Sequence, residues 1–141
     1  MEIEKMHIVE TIWKENQEFD STFDSHHVTI DNTISGGGNE KGSPPKPLML
    51  MALTGCIGMN LVPVLNKMRI PFQALRLTAK AELNEGIPKV YTKVLVEVFI
   101  SAGQSDYERI LNALKMTEEK YCGVSQMFRQ FCELTLRLTI Q

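Results

Sequence analysis

Three cysteines, Cys56, Cys122 and Cys132, and three histidines, His7, His26 and His27, are the side chains in this sequence best suited to redox, nucleophilic or metal chemistry. An odd number of cysteines with no C-x-x-C pair suggests neither a zinc ribbon nor a secreted disulfide framework, so free thiols in a reducing compartment are expected. His26 and His27 are adjacent, and adjacent residues of a strand point to opposite faces, so no metal site is expected. The stretch SGGGNEKGSPPKP, residues 35 to 47, places Gly37 and Gly42 at P-loop spacing. Ser43-Pro44 nevertheless stands where Lys-Ser/Thr is required, and proline offers no N–H to a phosphate. No G-x-G-x-x-G motif opens a helix after a buried strand, which excludes a dinucleotide fingerprint. No G-x-S-x-G elbow occurs, and Ser43 and Ser125 have no evident base. The chemistry therefore falls to the thiols, with no metal and no organic cofactor.

Cys56 lies in TGCIGMN, the middle of the most apolar stretch. Burial alone leaves a thiol protonated and inert, so Cys56 needs a partner to react. Gly55 and Gly58 would let a backbone or a second thiol come close. Cys122 follows EEKY at the end of one helix and precedes Gly123 and a short helix starting near Val124. A thiolate at a helix start is stabilised by unpaired N–H groups and the macrodipole. Cys132, beside Phe131 at the head of the last strand, reads as structural. By composition and position alone, the reading of a buried structural cysteine is favoured for Cys56 and for Cys122 taken separately.

The elements around these thiols are legible from periodicity. Residues 1 to 31 carry two or three short strands, including Met6-His7-Ile8-Val9 and Val28-Thr29-Ile30. The glycine-proline segment 35 to 47 is a loop and the expected mobile region. Prolines 44, 45 and 47 then lead into a long helix from Leu48 to Arg69, which Pro63 is expected to kink after Asn60. Leu75, Leu77, Ala79, Ala81 and Leu83 alternate with polar residues, and a second strand runs from Val90 through Ile100, making a hairpin through NEGIPK. Ser105 and Glu108 have capping-box spacing before a helix ending near Tyr121. Leu134, Leu136, Leu138 and Ile140 mark a closing strand. The whole reads as one α+β domain over residues 1–141.

Composition narrows the partners. With 141 residues, 43% hydrophobic, and a net charge of -2, the chain suits one globular unit without a basic stripe for a phosphate backbone, so nucleic acid is not expected. The N-terminus has no long apolar region, so a cytoplasmic location is expected. Pro47 to Asn66 holds no charge and approaches a membrane span in length, but Gly55, Gly58, Asn60 and Pro63 argue against one. A helix apolar on every face must be covered all round, which points to a homodimer.

GSPPKPLMLMALTGCIGMNLVPVLNKM resembles the central-helix motif of the OsmC/Ohr family, and LKMTEEKYCGVSQMF resembles its second motif, in which a helix ends in KYC. The resemblance is closer to the uncharacterised OsmC-like branch than to the dedicated organic hydroperoxide resistance enzymes. It implies antiparallel sheets around a long apolar central helix in an intertwined homodimer. It also implies a cysteine-based peroxidase acting on organic hydroperoxides in oxidative or osmotic stress defence, with Cys56 as the peroxidatic thiol and Cys122 as the resolving thiol. An external dithiol such as a lipoyl group would restore the pair. The implied apolar pocket near Cys56 is lined by Met and Leu side chains, with Met51 and Met59 as binding candidates.

Peroxidases of this family use an N-terminal arginine to hold the thiolate and a glutamate to orient it. Here no arginine precedes Arg69, and Lys46 and Pro47 occupy the region of the acid. Lys46, another lysine such as Lys5, or a partner subunit is left to activate Cys56. The alternative function is a weakly catalytic or non-catalytic dimer that binds a small apolar ligand or senses redox state.

Overall fold

The computed structural model describes residues 6–141, so Lys5 lies outside the described residues. Its contacts divide the chain into two compact units, which meet within one helix between Met49 and Leu50.

The first unit is an antiparallel three-stranded meander of β1 (Val9–Glu15), β2 (Glu18–Phe23) and β3 (His26–Ile30). Its turns use Asn16 (φ 50°) and Asp24 (φ 56°), residue types that tolerate the left-handed region. The indole N–H of Trp13 donates to the Asn16 carbonyl at 2.8 Å and ties the first turn down. After β3 the chain enters the glycine-rich loop, which hydrogen bonds fold around Asp31. Asp31 is buried, and its carboxylate accepts from the backbone N–H groups of Asn32 (2.7 Å), Asn39 (3.2 Å) and Lys41 (3.2 Å). The glycines serve this packing. A Cβ on Gly38 would stand 2.2 Å from the Asn32 carbonyl oxygen, and one on Gly42 would stand 2.1 Å from that of Thr29.

The second unit contains α1, a long helix over Pro45–Lys67 that begins in the first unit, and a second sheet. Proline at the helix start costs no hydrogen bond, which explains a beginning three residues earlier than expected. Pro63 is accommodated without ending the helix. Termination comes from a Schellman arrangement: Ile70 N–H donates to the Leu65 carbonyl and Arg69 N–H to that of Asn66, both at 3.0 Å. Arg69 takes the left-handed conformation usually given to glycine (φ 57°). Leu65 and Ile70, both buried, supply the apolar contact of the motif. The Arg109 guanidinium donates to the Met68 carbonyl at 2.6 Å, satisfying another helix-end acceptor.

The sheet has the order β4 (Phe72–Leu83), β5 (Tyr91–Ala102), β6 (Glu133–Ile140). β4 and β5 form the expected antiparallel pair, and β6 lies parallel to β5. Alternation gives it two faces. Leu75, Leu77, Ala79 and Ala81 of β4, Val94, Val96, Val98 and Ile100 of β5, and Leu134, Leu136, Leu138 and Ile140 of β6 join a core with Leu53, Ile57, Leu61 and Leu65 of α1. The opposite face is polar, with Lys80 and Arg137 converging on Glu97 at 3.0 and 4.0 Å and the Arg76 guanidinium 4.1 Å above the Phe99 ring. Leu53, Ile57, Leu61 and Leu65 are the buried residues of α1 and follow i, i+4 spacing, so in a single chain the helix is covered along one stripe rather than all round.

A parallel β5–β6 pair needs a crossover, supplied by α2 (Tyr107–Met116) and α3 (Gly123–Arg129). The expected capping box is absent: a 3-10 turn over Gln104–Asp106 leads directly into α2, without a side-chain cap. A π-helical turn over Thr117–Tyr121 then joins α2 to Cys122, whose N–H donates to the Thr117 carbonyl at 2.9 Å.

Burial opposes the charge on Asp31, but the N–H groups of Lys41, Asn32 and Asn39 and the Lys41 ammonium outweigh it and hold the carboxyl below its ordinary value. This contribution to stability is present above the unfolded-state pKa and is lost as pH falls through the lower folded-state value. Asp31→Asn should therefore lower Tm at pH 7, and the gap from the wild type should close as pH falls below the ordinary carboxyl range. A gap independent of pH across a series of melts would remove the charged acceptor as the cause.

Candidate functional site

The buried stripe of α1 fixes where its thiol goes. Cys56 precedes Ile57, and one residue turns a helix by about 100°, so Cys56 sits on the flank of the stripe. It is half-buried there, in a less enclosed position than the deep one expected from the apolar sequence. Asn60, one turn later on the same side, donates from its amide nitrogen to the Cys56 carbonyl at 2.8 Å and to the Cys56 Sγ at 3.5 Å. Asn60 also lines a cleft of about 210 Å³ with Pro63, Val64, Lys67 and Tyr121.

Cys122 comes to the same place from the crossover. It is buried, and it is the N-cap of α3, with its Sγ accepting from the Ser125 N–H at 3.4 Å and the Ser125 hydroxyl at 3.1 Å. The helix-start stabilisation expected for this thiolate is present but is overcome. Burial pushes the Cys122 thiol up, Cys56 beside it acts in the same direction, and the Ser125 bonds pull back only in part. The side chains of Cys56 and Cys122 are therefore close enough for one to act on the ionisation of the other, while both remain free thiols.

The other candidates are placed differently. Gly55 and Gly58 do not clear space for Cys122: a Cβ on Gly55 would meet nothing within 4 Å, and one on Gly58 would make ordinary contact with Leu77 at 3.5 Å. Lys46 is ten residues before Cys56 on the same helix, about 15 Å along its axis, and lines a separate cleft with Asp31, Asn32 and the prolines of the helix start. Met51 and Met59 are 55% and 79% exposed in the single chain rather than lining an enclosed pocket within it. Cys132 is half-buried against the core; burial raises its pKa, and Arg129 opposes that shift. Among the described residues, no group of three or more His, Cys, Asp or Glu side chains could hold a metal ion.

Sequence reasoning overlooked Asn60 and Ser125 as partners of the thiols. Both were within its reach, since i+4 spacing puts Asn60 over Cys56 and i+3 spacing puts Ser125 at the N3 position of a helix capped by Cys122.

A long helix between two three-stranded sheets in sequence thus carries one thiol, and a second thiol at a helix junction within the β5–β6 crossover comes beside it. Residues 36–137 match the family described as OsmC-like protein. The chain belongs to that family. Protein YhfA of Escherichia coli K12 is 24% identical over 110 residues, which are 78% of this chain and 79% of that protein. A hypothetical protein of Aquifex aeolicus VF5 shares the fold, with a TM-score of 0.83, 22% identity, and 97% of each chain covered. An organic hydroperoxide resistance protein of Elizabethkingia anophelis aligns with a TM-score of 0.74 at 15% identity over 99% of this chain and 100% of its own.

The opposing influences on Cys122 give two signed expectations. In a Cys132→Ser background, Cys56→Ser should move the midpoint of Cys122 alkylation to lower pH, and Ser125→Ala should move it to higher pH. Stopped-flow alkylation across pH measures both; shifts of the same sign would contradict the assigned causes.

Proposed function

We propose that this OsmC-like protein is a thiol peroxidase that reduces organic hydroperoxides, with Cys56 as peroxidatic and Cys122 as resolving cysteine. The juxtaposition of these two thiols carries the reading, because a binding pocket alone has no need of a second thiol within reach of the first. The Cys56 thiolate attacks the terminal peroxide oxygen, and the O–O bond breaks. The alkoxide leaves with a proton as the alcohol, so the peroxide is reduced and Cys56 becomes a sulfenic acid. Cys122, as thiolate, then attacks the Cys56 sulfur, hydroxide departs as water with the proton released by Cys122, and a disulfide remains. An external dithiol, such as a lipoyl group, returns both thiols by exchange and is itself oxidised to a disulfide. The name of the Elizabethkingia anophelis relative supports the substrate class.

The working unit in this reading is a homodimer. α1 is long and apolar enough to cross a membrane by length and composition, as core helices also can be. Away from its buried stripe it exposes Met51, Met59 and the open side of Gly55, which suits a second copy of the same helix. Separately, the first unit exposes Ile8, Ile12 and Trp13. The peroxide's apolar part would rest against Met51 and Met59 in the dimer. A non-catalytic dimer that binds a small apolar ligand is the competing reading, favoured by the distance between Lys46 and Cys56.

Two measurements check these statements. One equivalent of cumene hydroperoxide should yield a Cys56–Cys122 disulfide in the wild type and a trapped sulfenic acid on Cys56 in Cys122→Ser, read by intact mass and peptide mapping. Oxidation no faster than that of free cysteine would favour the ligand-binding dimer. Light scattering should give twice the chain mass of 16.0 kDa, and Met59→Glu should shift the protein toward monomer. A wild-type monomer would leave the apolar face of α1 unexplained.

A further inference from the structure

We infer that the Asn60 side-chain amide is the hydrogen-bond donor that holds the Cys56 thiolate, in the role a cation would otherwise fill. The inference rests on the peroxidase reading for its purpose but on its own geometry for its content. The Asn60 amide nitrogen is 2.8 Å from the Cys56 carbonyl oxygen and 3.5 Å from the Cys56 Sγ. A carbonyl oxygen only accepts, so the group facing it must be the NH2 end; the flipped amide would set two acceptors against each other. An NH2 group has two hydrogens. One is directed to the carbonyl, which fixes the rotamer, and the second is left for the sulfur.

The contact gains strength when the sulfur ionises, because a hydrogen bond to a charged acceptor is roughly twice as strong as a neutral one. Cys56 and Asn60 are both half-buried, where solvent screens the contact less than at the surface. Asn60 also lines the cleft formed with Pro63, Val64, Lys67 and Tyr121, so the donor stands between that cleft and the thiol. Lys46, the nearest cation N-terminal to Cys56 in the sequence, is ten residues away. A neutral donor is thus in place at the sulfur itself, and the ammonium-bearing Lys67 lines the same cleft as that donor.

The test is the pH dependence of Cys56 alkylation in the full-length protein with Cys122 and Cys132 replaced by serine, compared among Asn60, Asn60→Ala, Asn60→Asp and Asn60→Ser. Asn60→Asp keeps the shape and puts a carboxylate where the donor was. Asn60→Ser keeps a hydroxyl able to bond the i−4 carbonyl and preserves the helix if the alanine variant does not fold. All three should slow alkylation at pH 7 several-fold, with the midpoint moved to higher pH and the limiting rate at high pH slightly raised, because a more basic thiolate is the better nucleophile. That pattern reports thiolate stability, whereas a loss of helix packing would change access to the sulfur and alter the limiting rate without moving the midpoint. An unchanged midpoint in Asn60→Asp or Asn60→Ser overturns the inference. Peroxide oxidation of the wild type separates the two claims: rapid oxidation with unshifted Asn60 variants sinks the donor role alone, and shifted variants without peroxide oxidation sink the peroxidase reading alone.

Discussion

The seating of Leu53, Ile57, Leu61 and Leu65 on the sheet is the contact on which the rest of the site depends. A helix that is apolar all round has no preferred face by composition, so its rotation is set by which side chains the sheet accepts. Four side chains at i, i+4 spacing make one ridge, and each is worth about 1.5–3 kcal/mol when fully buried. Once the ridge is fixed, Cys56 and Asn60 fall on one flank, Gly58 meets Leu77 on the other, and Gly55 and Met59 face away. Turning the helix by one residue would expose the ridge and bury the thiol.

The second thiol depends on how α2 ends. The π-helical turn over Thr117–Tyr121 delivers Cys122 at φ -87° and ψ 97°, a non-helical conformation suited to an N-cap, and α3 starts at the next residue. Cys122 is thus both the exit from one helix and the cap of the next. Its sulfur accepts from Ser125 in the role a serine or aspartate oxygen usually takes. The backbone on both sides of Cys122 is fixed by helix geometry, so its thiol is presented to α1 from a rigid position rather than from a loop.

The sequence was legible wherever one periodicity dominated. The alternation of β4, β5 and β6 showed their inward faces, and the prolines before α1 showed where a helix could start. The two cysteine motifs showed the family before any fold was in view. What was not legible depended on contacts far apart in the chain. The uncharged stretch of α1 could not reveal its buried face, because Leu and Met occur on every side. The glycines of the 35–42 segment resembled a mobile loop or a phosphate cradle, but their use came from Asp31, whose three backbone donors lie up to ten residues downstream. Ser105 and Glu108 had the spacing of a capping box, and a 3-10 turn took its place. Gly55 and Gly58 raised a question about space near Cys56, but a Cβ at Gly55 would meet nothing within 4 Å and one at Gly58 would make only ordinary contact with Leu77, so neither makes room for Cys122.

Under the proposed reaction, the two thiols have opposite requirements, and their surroundings differ accordingly. The first to react must be reached by a peroxide and must tolerate a negative charge. Cys56 is half-exposed and has an amide donor at its sulfur. The second must stay protonated until there is a sulfenic acid to attack, since a second thiolate beside the first would repel it. Burial keeps Cys122 protonated, and Cys56 beside it adds to the effect. Oxidation of Cys56 replaces a thiolate by a neutral sulfenic acid and removes that second influence. The Ser125 bonds, which favour the Cys122 thiolate, then face burial alone. The first step thereby eases ionisation in the second, because the hydrogen-bonding and charge influences of Cys56 on Cys122 both change when Cys56 is oxidised, as in any pair of coupled sites.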